Sequence, residues 1–430
     1  MDYNNRHSYQ GLHILTNDYT ASTDTWRSGL NNNVLVYGPS GAGKTRHYVK
    51  PNILQSHESM IISDTKGSLY KELGPNLRKR GFEVMNINFT SLTDGIGYNP
   101  FDFIHYDEQN CRYSEKDILR LTTCLIQERH TDDPFWYEAP RQYLSLLISY
   151  VLEALPENCH TLDEVVKLIT KIGSTEFGIL IDELNAMNPG NTVQMKYNAI
   201  RGNSRADRTE ASIKAILSTN LNTLVFDEAT AVYKKSGRVD FKSFGRKKTA
   251  LFLTISDTDR SMDKLANTFM TQAIQALCES ADHDYPAHRL PVPVRLYLDD
   301  FATNLFIPDL DKIISVIRSR EISVSVILQS LTQLTSLYGE AAAMTIVNNC
   351  DRQLYLGGQD PSTAEYISTR ANKPVSTILA MPVDNAYLRV RGQKPVLSRK
   401  YEFTDRRAGR IIPETDRKEM VSDISLGGVK

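Results

Sequence analysis

The segment VLVYGPSGAGKT, residues 34–45, decides the fold class of this 430-residue chain. Its first four residues are an apolar run typical of a buried strand, and the next eight match the pattern G-x-x-x-x-G-K-[ST]. In such a loop, glycines allow backbone N–H groups to surround phosphate oxygens at the start of a helix. The predicted phosphate-binding residues are Gly38, Pro39, Ser40, Gly41, Ala42, Gly43, Lys44 and Thr45.

Two residues of this phosphate loop (residues 38–45) have specific expected tasks. The Lys44 ammonium is predicted to reach the β and γ phosphates of ATP, and the Thr45 hydroxyl to bind Mg²⁺. A chance glycine-rich turn is the alternative, but average composition produces such a match in roughly one chain in a hundred of this length. The strand before the loop and the helical pattern after it make chance rarer still.

Short apolar runs alternate with amphipathic helical stretches at both ends of the chain, which predicts an α/β fold with a parallel-dominated sheet. The predicted strands are 34–37, 60–63, 250–255, 295–298, 322–328 and 353–356. Between about residues 107 and 226, helical patterns replace the strands. The predicted helices there are 114–128, 139–155, 161–172 and 208–219.

These patterns predict an all-α domain inserted into a nucleotide-binding domain. The expected divisions are residues 1–105 and 227–413 for the two parts of the nucleotide-binding domain, 106–226 for the insert, and 414–430 for a polar tail.

The predicted strand at 295–298 ends in two carboxylates, Asp299 and Asp300. We assign Asp299 to the Mg²⁺ shell and Asp300 to orienting the water that attacks the γ phosphate. Taken alone, an acidic loop after a strand is more often structural, and the upstream phosphate loop favours the catalytic interpretation.

Asp64 follows the strand at 60–63, where a ligand contact and a helix cap are equally good explanations.

Two further side chains are candidates for the nucleotide site. Gln329 ends the strand at 322–328, where an amide can sense the γ phosphate. Arg318 closes the preceding helix, from which a guanidinium can reach a phosphate bound by a neighbouring subunit and stabilise transition-state charge. The alternative for Arg318 is a cation placed favourably at a helix C-terminus, and residue chemistry alone prefers that alternative.

Composition limits the other functions. The formal charge of -1 gives no overall attraction to nucleic acid, so any DNA contact must be local. The five cysteines and nine histidines lack the spacings of a disulfide framework or a transition-metal site. No window approaches 18 uncharged apolar residues and no secretory signal is present, which predicts a cytoplasmic protein.

The predicted insert contains a weak nucleic-acid pattern. Basic side chains together with Trp136 and Tyr137 would supply phosphate contacts and base stacking. The favoured interpretation instead places Trp136 in the core of the insert and the basic side chains in solvent. The basic residues are Arg201, Arg205, Arg208 and Lys214.

Together these segments resemble the coupling ATPases of type IV secretion and conjugation, the TraG/TraD-like family, from Gly11 onward. The resemblance implies a RecA-like P-loop domain with an all-α insert and a homo-hexameric ring. It further implies that ATP drives transfer of relaxase-bound single-stranded DNA to the components of the secretion channel. Arg318 and Gln329 are implied to act in the nucleotide site. The insert is implied to recognise the substrate. The most specific matches are the phosphate loop and residues 63–67, 98–101, 135–136, 298–302, 318–320, 327–329 and 391–395.

Two features depart from the family pattern. The family usually has glutamate where this chain has Asp300, which pulls the carboxylate back from the attacking water. The family also usually begins with membrane-spanning helices, and none precedes Gly11. We therefore expect a position at the cytoplasmic face of the inner membrane, reached through a partner or through an N-terminal anchor that this sequence lacks.

The leading hypothesis is thus an ATP-hydrolysing, Mg²⁺-dependent coupling motor for conjugation. The alternatives are a DNA translocase of the same fold in packaging or segregation, and an ATP-gated docking scaffold that hydrolyses little.

Overall fold

The computed structural model describes residues 11–127, 133–202, 207–403 and 418–419. The chain divides into two compact units, called here the sheet unit and the helical unit. The sheet unit comprises Met1–Asn86, Asp240–Thr258 and Gln275–Lys430, and the helical unit comprises Ile87–Val239 and Asp259–Ile274.

The strands of the described residues follow the alternation expected from the apolar runs, with additions at both ends of the chain, at 83–88, and in a short pair at 106–107 and 112–113, where helical patterns alone were expected. They are β1 (Leu12–Ile14), β2 (Tyr19–Ser22), β3 (Val34–Tyr37), β4 (Ser59–Asp64), β5 (Glu83–Asn88), β6 (Tyr106–Asp107), β7 (Arg112–Tyr113), β8 (Thr249–Thr254), β9 (Val294–Leu298), β10 (Ile322–Leu328), β11 (Arg352–Tyr355), β12 (Asn385–Val390), β13 (Val396–Arg399) and β14 (Lys418–Glu419).

A nine-stranded sheet in the order β13-β12-β11-β3-β10-β9-β4-β8-β5 forms the centre of the sheet unit. The pairs from β11 through β3, β10, β9 and β4 to β8 are parallel, whereas β12 and β13 add antiparallel strands at one side. The predicted parallel-dominated α/β sheet is therefore confirmed. Every residue of β3, β4, β8, β9, β10 and β11 is buried, as expected for parallel strands covered on both faces.

The helices of the described residues connect and cover these strands or build the helical unit. They are α1 (Thr25–Ser28), α2 (Lys50–Gln55), α3 (Ser68–Lys79), α4 (Glu115–Leu125), α5 (Phe135–Ala154), α6 (Leu162–Ile169), α7 (Thr175–Met187), α8 (Thr192–Gly202), α9 (Asp207–Leu221), α10 (Asp227–Lys234), α11 (Asp263–His283), α12 (Phe301–Asn304), α13 (Leu310–Val316), α14 (Leu331–Tyr338), α15 (Glu340–Asn348), α16 (Pro361–Ala371) and α17 (Val375–Leu379).

The core on one face of the sheet fixes the helix that follows the phosphate loop. Tyr48 and Val49 of that helix are fully buried with Val36 of β3 and Ile62 of β4. Burial of each such side chain contributes roughly 1.5–3 kcal/mol. The phosphate loop is therefore anchored at both ends, by a central strand and by a buried helix.

A buried polar network extends from this helix. The Nε2 atom of His13 lies 2.7 Å from the Tyr48 hydroxyl, which lies 2.9 Å from the Ser325 hydroxyl of β10. Arg295 of β9 donates from Nε to Oε2 of Glu58 at 2.7 Å, and both side chains are buried. Burial lowers the pKa of His13 well below its usual value, and the nearby Arg295 and Arg352 guanidinium groups lower it further.

The helical unit contains α4 to α10, and the helices predicted at 114–128, 139–155, 161–172 and 208–219 correspond to α4, α5, α6 and α9. Its limits differ from the expected divisions at 106 and 227, because residues 87–105 and 227–239 group with it. Within this unit, the buried Tyr98 donates to Oε1 of Gln272 at 2.6 Å and Arg238 pairs with Asp102 at 2.6 Å. These pairs are more than 130 positions apart in the chain, so local patterns do not reveal them.

Trp136 is not in the core of the helical unit, and that prediction is wrong. It is 43% exposed and makes an edge contact with Phe135, with ring centroids 5.2 Å apart. The reason is its place in α5, since the buried residues of that helix begin only at Ala139. Trp136 lines a cavity of about 350 Å³ together with Tyr137 and residues of α9.

The basic residues considered for DNA contact are partly engaged within the helical unit. Lys214 pairs with Glu210 at 3.0 Å, and the Arg201 guanidinium lies over the Tyr197 ring at 5.4 Å. Arg205 lies outside the described residues, while Arg208 is exposed.

Of the predicted polar tail, residues 414–430, the structure describes only Lys418–Glu419, which form β14 and pair in parallel with β2. None of the helices in the described part of the chain combines the length and apolar composition that a bilayer crossing requires.

Candidate nucleotide-binding site

The phosphate loop leaves the carboxyl end of β3 and turns into a continuous helical segment. Thr45–Val49 form a wide π-type turn that continues into α2. Gly41 and Gly43 have φ angles of 80° and 84°, a region that side chains of L-residues disfavour. The backbone path thus favours glycine at both positions, and Gly43 is also a fixed position of the motif.

Lys44 joins this loop to the carboxylates after β9. Its side chain is buried, and its ammonium donates to the carbonyl oxygens of Gly38 at 2.8 Å and Pro39 at 3.2 Å. The same nitrogen lies 3.7 Å from Oδ1 of Asp300. The motif lysine and the second carboxylate therefore share one small space at the sheet edge.

Thr45 and Asp299 form a pair of oxygen ligands. The Thr45 hydroxyl donates to Oδ2 of Asp299 at 2.8 Å, and Asp299 is 7% exposed. Ser63, at the end of β4, fixes the Asp299 backbone because its hydroxyl oxygen accepts from the Asp299 N–H at 2.7 Å. Burial, together with the charge of Asp300, raises the pKa of Asp299 to about 6, although the Thr45 hydrogen bond and the Lys44 ammonium oppose the shift.

This pair fits a hard divalent cation. Mg²⁺ prefers oxygen ligands and takes only one or two from protein, completing its shell with water and phosphate oxygens. Burial disfavours the charged form of Asp299, and a cation bound beside this carboxylate would stabilise that form. The described residues contain no group of three or more His, Cys, Asp or Glu side chains placed to hold an ion alone, so the nucleotide would have to contribute ligands.

Asp300 has a left-handed backbone, with φ 48° and ψ 42°, and its side chain is one-third exposed. Aspartate and asparagine tolerate this region better than longer side chains do. Aspartate is therefore a suitable residue for this backbone conformation.

Asp64 has the contacts of a helix cap. Its Oδ1 atom accepts from the Ser68 N–H at 3.1 Å and its Oδ2 atom from the Tyr70 N–H at 2.9 Å, at the start of α3. Burial raises its pKa, and these backbone hydrogen bonds oppose the shift. The contacts favour the structural explanation, and the neighbouring Ser63 is the residue that supports the site.

Gln329 and Arg318 lie at opposite ends of β10. Gln329 directly follows this strand, whose last carbonyl, on Leu328, accepts from the Gly38 N–H at 3.2 Å. Arg318 precedes the strand, which has seven residues and so spans about 23 Å. Arg318 as a whole is exposed, and its guanidinium donates to the Thr25 carbonyl at 3.1 Å.

One chain therefore brings together Lys44, Thr45, Asp299 and Asp300, with the Gln329 backbone beside the loop, and places Arg318 at the other edge of the sheet. A role for Arg318 in a neighbouring subunit's site stays a prediction, as do the individual catalytic roles.

Two residues near the C-terminus, one contacting the phosphate loop and one the helical turn after it, were missed in the sequence. The buried Lys400 donates from Nζ to the Ala42 carbonyl at 3.0 Å. The Tyr401 carbonyl lies 2.7 Å from Nδ1 of His47, in the first turn after the loop. No motif or spacing could have identified these contacts, because they are made across more than 350 positions.

The chain is similar in sequence to proteins of DNA transfer. Conjugal transfer protein TraG of Escherichia coli is 22% identical over 392 residues, and protein VirD4 of Agrobacterium fabrum is 25% identical over 340 residues. The alignments cover 87% and 78% of this chain but only 60% and 48% of those two proteins. The chain thus spans about half of the length of the relatives it matches.

The fold is also that of solved coupling proteins. The unbound bacterial conjugative coupling protein TrwBdeltaN70 superposes with a TM-score of 0.63 at 19% identity, over 87% of this chain and 86% of that one. Plasmid coupling protein TrwB in complex with ADP and Mg²⁺ gives a TM-score of 0.62 at 19% identity and covers 87% of each chain. This likeness confirms the predicted RecA-like P-loop fold.

A family model described as type IV secretory system conjugative DNA transfer matches residues 5–373, which include the phosphate loop, both carboxylates and Gln329. The chain therefore belongs to the type IV secretory system conjugative DNA transfer family.

Proposed function

We propose that this chain is a Mg²⁺-dependent ATPase that recruits relaxase-bound DNA to a type IV secretion channel and drives its transfer. The observation that carries the proposal is the 2.8 Å hydrogen bond between Thr45 and Asp299, beside a buried Lys44. Hydroxyl, carboxylate and ammonium converge at the edge of the sheet where the glycine loop lies. Such an arrangement suits the polyphosphate of a nucleotide bound with a cation.

In this proposal the loop N–H groups and the Lys44 ammonium bind the β and γ phosphates. Thr45 and Asp299 would hold Mg²⁺, which neutralises charge on the β and γ oxygens when it is bound. Asp300, whose side chain is partly exposed, orients the attacking water and accepts its proton. Gln329, next to the loop, senses the γ phosphate.

The transition state would still need a cation from elsewhere. Arg318 cannot supply it to its own site, because it lies at the opposite end of β10. A homo-hexameric ring would bring Arg318 of one subunit to the nucleotide of the next, where an arginine can accelerate turnover by about 10³–10⁵-fold.

The family and the relatives' names, which specify conjugal transfer and coupling, support our assignment of partners. We assign single-stranded DNA with its relaxase, and channel components, as partners, and substrate recognition to the helical unit. The expected position is the cytoplasmic face of the inner membrane, through an anchor or a partner. A same-fold translocase in packaging or segregation is less favoured, because those names point to conjugation.

An ATP-gated scaffold that hydrolyses little remains the second candidate, and the observation that favours it is the short carboxylate of Asp300. ATP turnover should be measured with and without single-stranded DNA, for the wild type and for Lys44→Ala. The motor predicts turnover that DNA stimulates and that Lys44→Ala abolishes together with nucleotide binding. Tight ATP binding without turnover in either condition would reject the motor and support the scaffold. Unchanged nucleotide binding by Lys44→Ala would reject the assignment of the nucleotide site.

A further inference from the structure

The chain segment after β13 holds the outer side of the phosphate loop. Lys400 is 6% exposed, although lysine is rarely buried, and its ammonium donates to the Ala42 carbonyl at 3.0 Å. Burial lowers the pKa of this ammonium, while Asp384 opposes the shift. A buried cation is costly unless it is paired or hydrogen-bonded. The hydrogen bond to the Ala42 carbonyl therefore offsets part of the cost of burying Lys400.

Sheet topology explains why the segment reaches the loop. Strand β12 is antiparallel to β11, and β13 is antiparallel to β12. Strand β13 therefore runs in the same direction as β3, and its C-terminal end lies at the edge where the phosphate loop leaves β3. The Lys400 N–H then donates to the Asp384 carbonyl at 2.8 Å, which fixes the backbone of the segment.

The contact on Ala42 controls the orientation of a phosphate-binding N–H group. The Ala42 carbonyl and the Gly43 N–H belong to one trans peptide, in which the two groups point in opposite directions. Holding the carbonyl outward with Lys400 therefore holds the Gly43 N–H inward, toward the phosphate position. Gly43 has a φ of 84° and no side chain, so little else within the residue restrains this peptide.

A second contact holds the other side of Gly43. The Gly43 carbonyl accepts from the His47 N–H at 2.7 Å, and the His47 ring occupies the position that a Gly43 Cβ would need. The Nδ1 atom of this ring lies 2.7 Å from the Tyr401 carbonyl. A carbonyl only accepts, so Nδ1 carries the proton. Lys400 thus restrains the peptide before Gly43, and Tyr401 restrains the His47 ring that packs against Gly43.

We propose that Lys400 is a positioning residue for the phosphate loop, which raises the affinity of the site for nucleoside di- and triphosphates. It acts by fixing the Ala42–Gly43 peptide with its N–H directed at the phosphates. The inference rests on the proposed nucleotide site. Lys400 lies beyond residues 5–373, so the family match does not assign it this role.

The test compares Lys400→Met, which keeps the length of the side chain, with Lys400→Arg, which keeps a cationic donor. Arg399→Met is the matched control, since Arg399 is the preceding residue and is exposed. The dissociation constant of a fluorescent ADP analogue with Mg²⁺ is measured by titration, together with KM and kcat for ATP. The melting temperature of each nucleotide-free variant reports on folding.

Loss of a hydrogen bond from a charged donor should raise the dissociation constant and KM about tenfold in Lys400→Met. The value of kcat should change less than KM, because saturating nucleotide itself orients the loop. Lys400→Arg should recover most of the affinity, and Arg399→Met should bind as the wild type does. If Lys400→Met does not fold, Lys400→Gln replaces it and should bind more weakly than Lys400→Arg.

Wild-type affinity in Lys400→Met, or in Lys400→Gln if that variant has to be used, would overturn the inference. Equal loss of affinity in Lys400→Arg and Lys400→Met would also overturn it, because a cationic donor would then have no effect. Lys44→Ala is titrated in parallel. If that variant loses nucleotide binding while Lys400→Met keeps it, only the present inference fails, and if Lys44→Ala binds normally, the nucleotide site itself is wrong.

Discussion

The Thr45 hydroxyl donates a 2.8 Å hydrogen bond to the Asp299 carboxylate, although the two residues are 254 positions apart in the chain. Strands β3 and β9, which precede them, lie on either side of β10 in the central sheet. Parallel strands place their following loops at one edge, so the two oxygens meet. The arrangement also buries the Asp299 carboxylate, and the Thr45 hydrogen bond and the Lys44 ammonium offset only part of the cost of burying its charge.

The first prediction concerns the stability cost of this carboxylate. Asp299→Asn should raise the free energy of unfolding of the nucleotide-free protein by roughly 1–3 kcal/mol at pH 7.5. The amide keeps an oxygen acceptor for Thr45 and removes a charge that burial disfavours, as the pKa of about 6 indicates. Denaturant unfolding measures the gain, and Mg²⁺ titration should show weaker cation-dependent nucleotide binding. Asp309→Asn, at an exposed carboxylate, is the control, and a less stable Asp299→Asn would contradict the argument.

The second prediction separates the chemistry of Asp300 from its backbone conformation. Asparagine tolerates the left-handed region as aspartate does, so Asp300→Asn should fold normally and bind ATP. Turnover should fall by about 10²-fold or more, because the amide cannot accept a proton from the attacking water. Single-turnover hydrolysis and nucleotide titration measure the two effects. Wild-type turnover in this variant would remove Asp300 from the catalytic residues.

A third prediction contrasts two arginines of the same turn. Arg320 is bound by both oxygens of Asp282 at 2.8 Å, whereas Arg318 is exposed with a hydrogen bond to a backbone carbonyl. Arg318→Ala should leave ATP binding intact but remove turnover in the assembled ring. Arg320→Ala should instead lower stability by about 1 kcal/mol or less, since its ion pair is partly exposed, and retain turnover. Steady-state ATPase assays on size-fractionated assemblies measure the turnover of both variants. Full activity in Arg318→Ala would reject the neighbour-subunit role.

A fourth prediction concerns acid stability. Burial and two nearby cations, Arg295 and Arg352, lower the pKa of His13 well below 6.5, so the folded state keeps this ring neutral beside the Tyr48 hydroxyl. The unfolded chain binds the proton once the pH falls below about 6.5. The contribution of neutral His13 is therefore complete above that pH and is lost below it, by up to about 1.4 kcal/mol per pH unit.

His13→Gln should reduce this slope of unfolding free energy between pH 6 and pH 5. His283→Gln, at an exposed position near the end of α11, should leave the slope unchanged. Denaturant unfolding at several pH values provides the measurement. Identical slopes for the wild type and His13→Gln would show that another group controls the acid transition.

The sequence predicts those parts of the fold that local patterns encode. An apolar run before a glycine loop identifies β3 and its helix, and an apolar run before two carboxylates identifies β9. These patterns are local because a strand and the loop that follows it are encoded by a few consecutive residues. The order of the strands then brings Thr45 and Asp299 together without any further sequence signal.

Features that depend on distant contacts were not predictable. The limits of the helical unit depend on pairs such as Tyr98 with Gln272, and the Lys400 contact depends on a strand pair near the C-terminus. Trp136 was placed in the core from its residue type, whereas its position one turn before the buried part of α5 leaves it 43% exposed. The role of Arg318 depends on a second subunit and stays a prediction.

The strands β12 and β13 have a consequence for efforts to shorten the protein. The family match ends at residue 373, which makes that point a natural place to cut the chain. A chain ending there would lose both strands and expose β11, all four residues of which are buried. Its unpaired N–H and C=O groups would then be open to pairing with another molecule, and such bare edges promote aggregation. The family match alone would therefore define a fragment prone to precipitate.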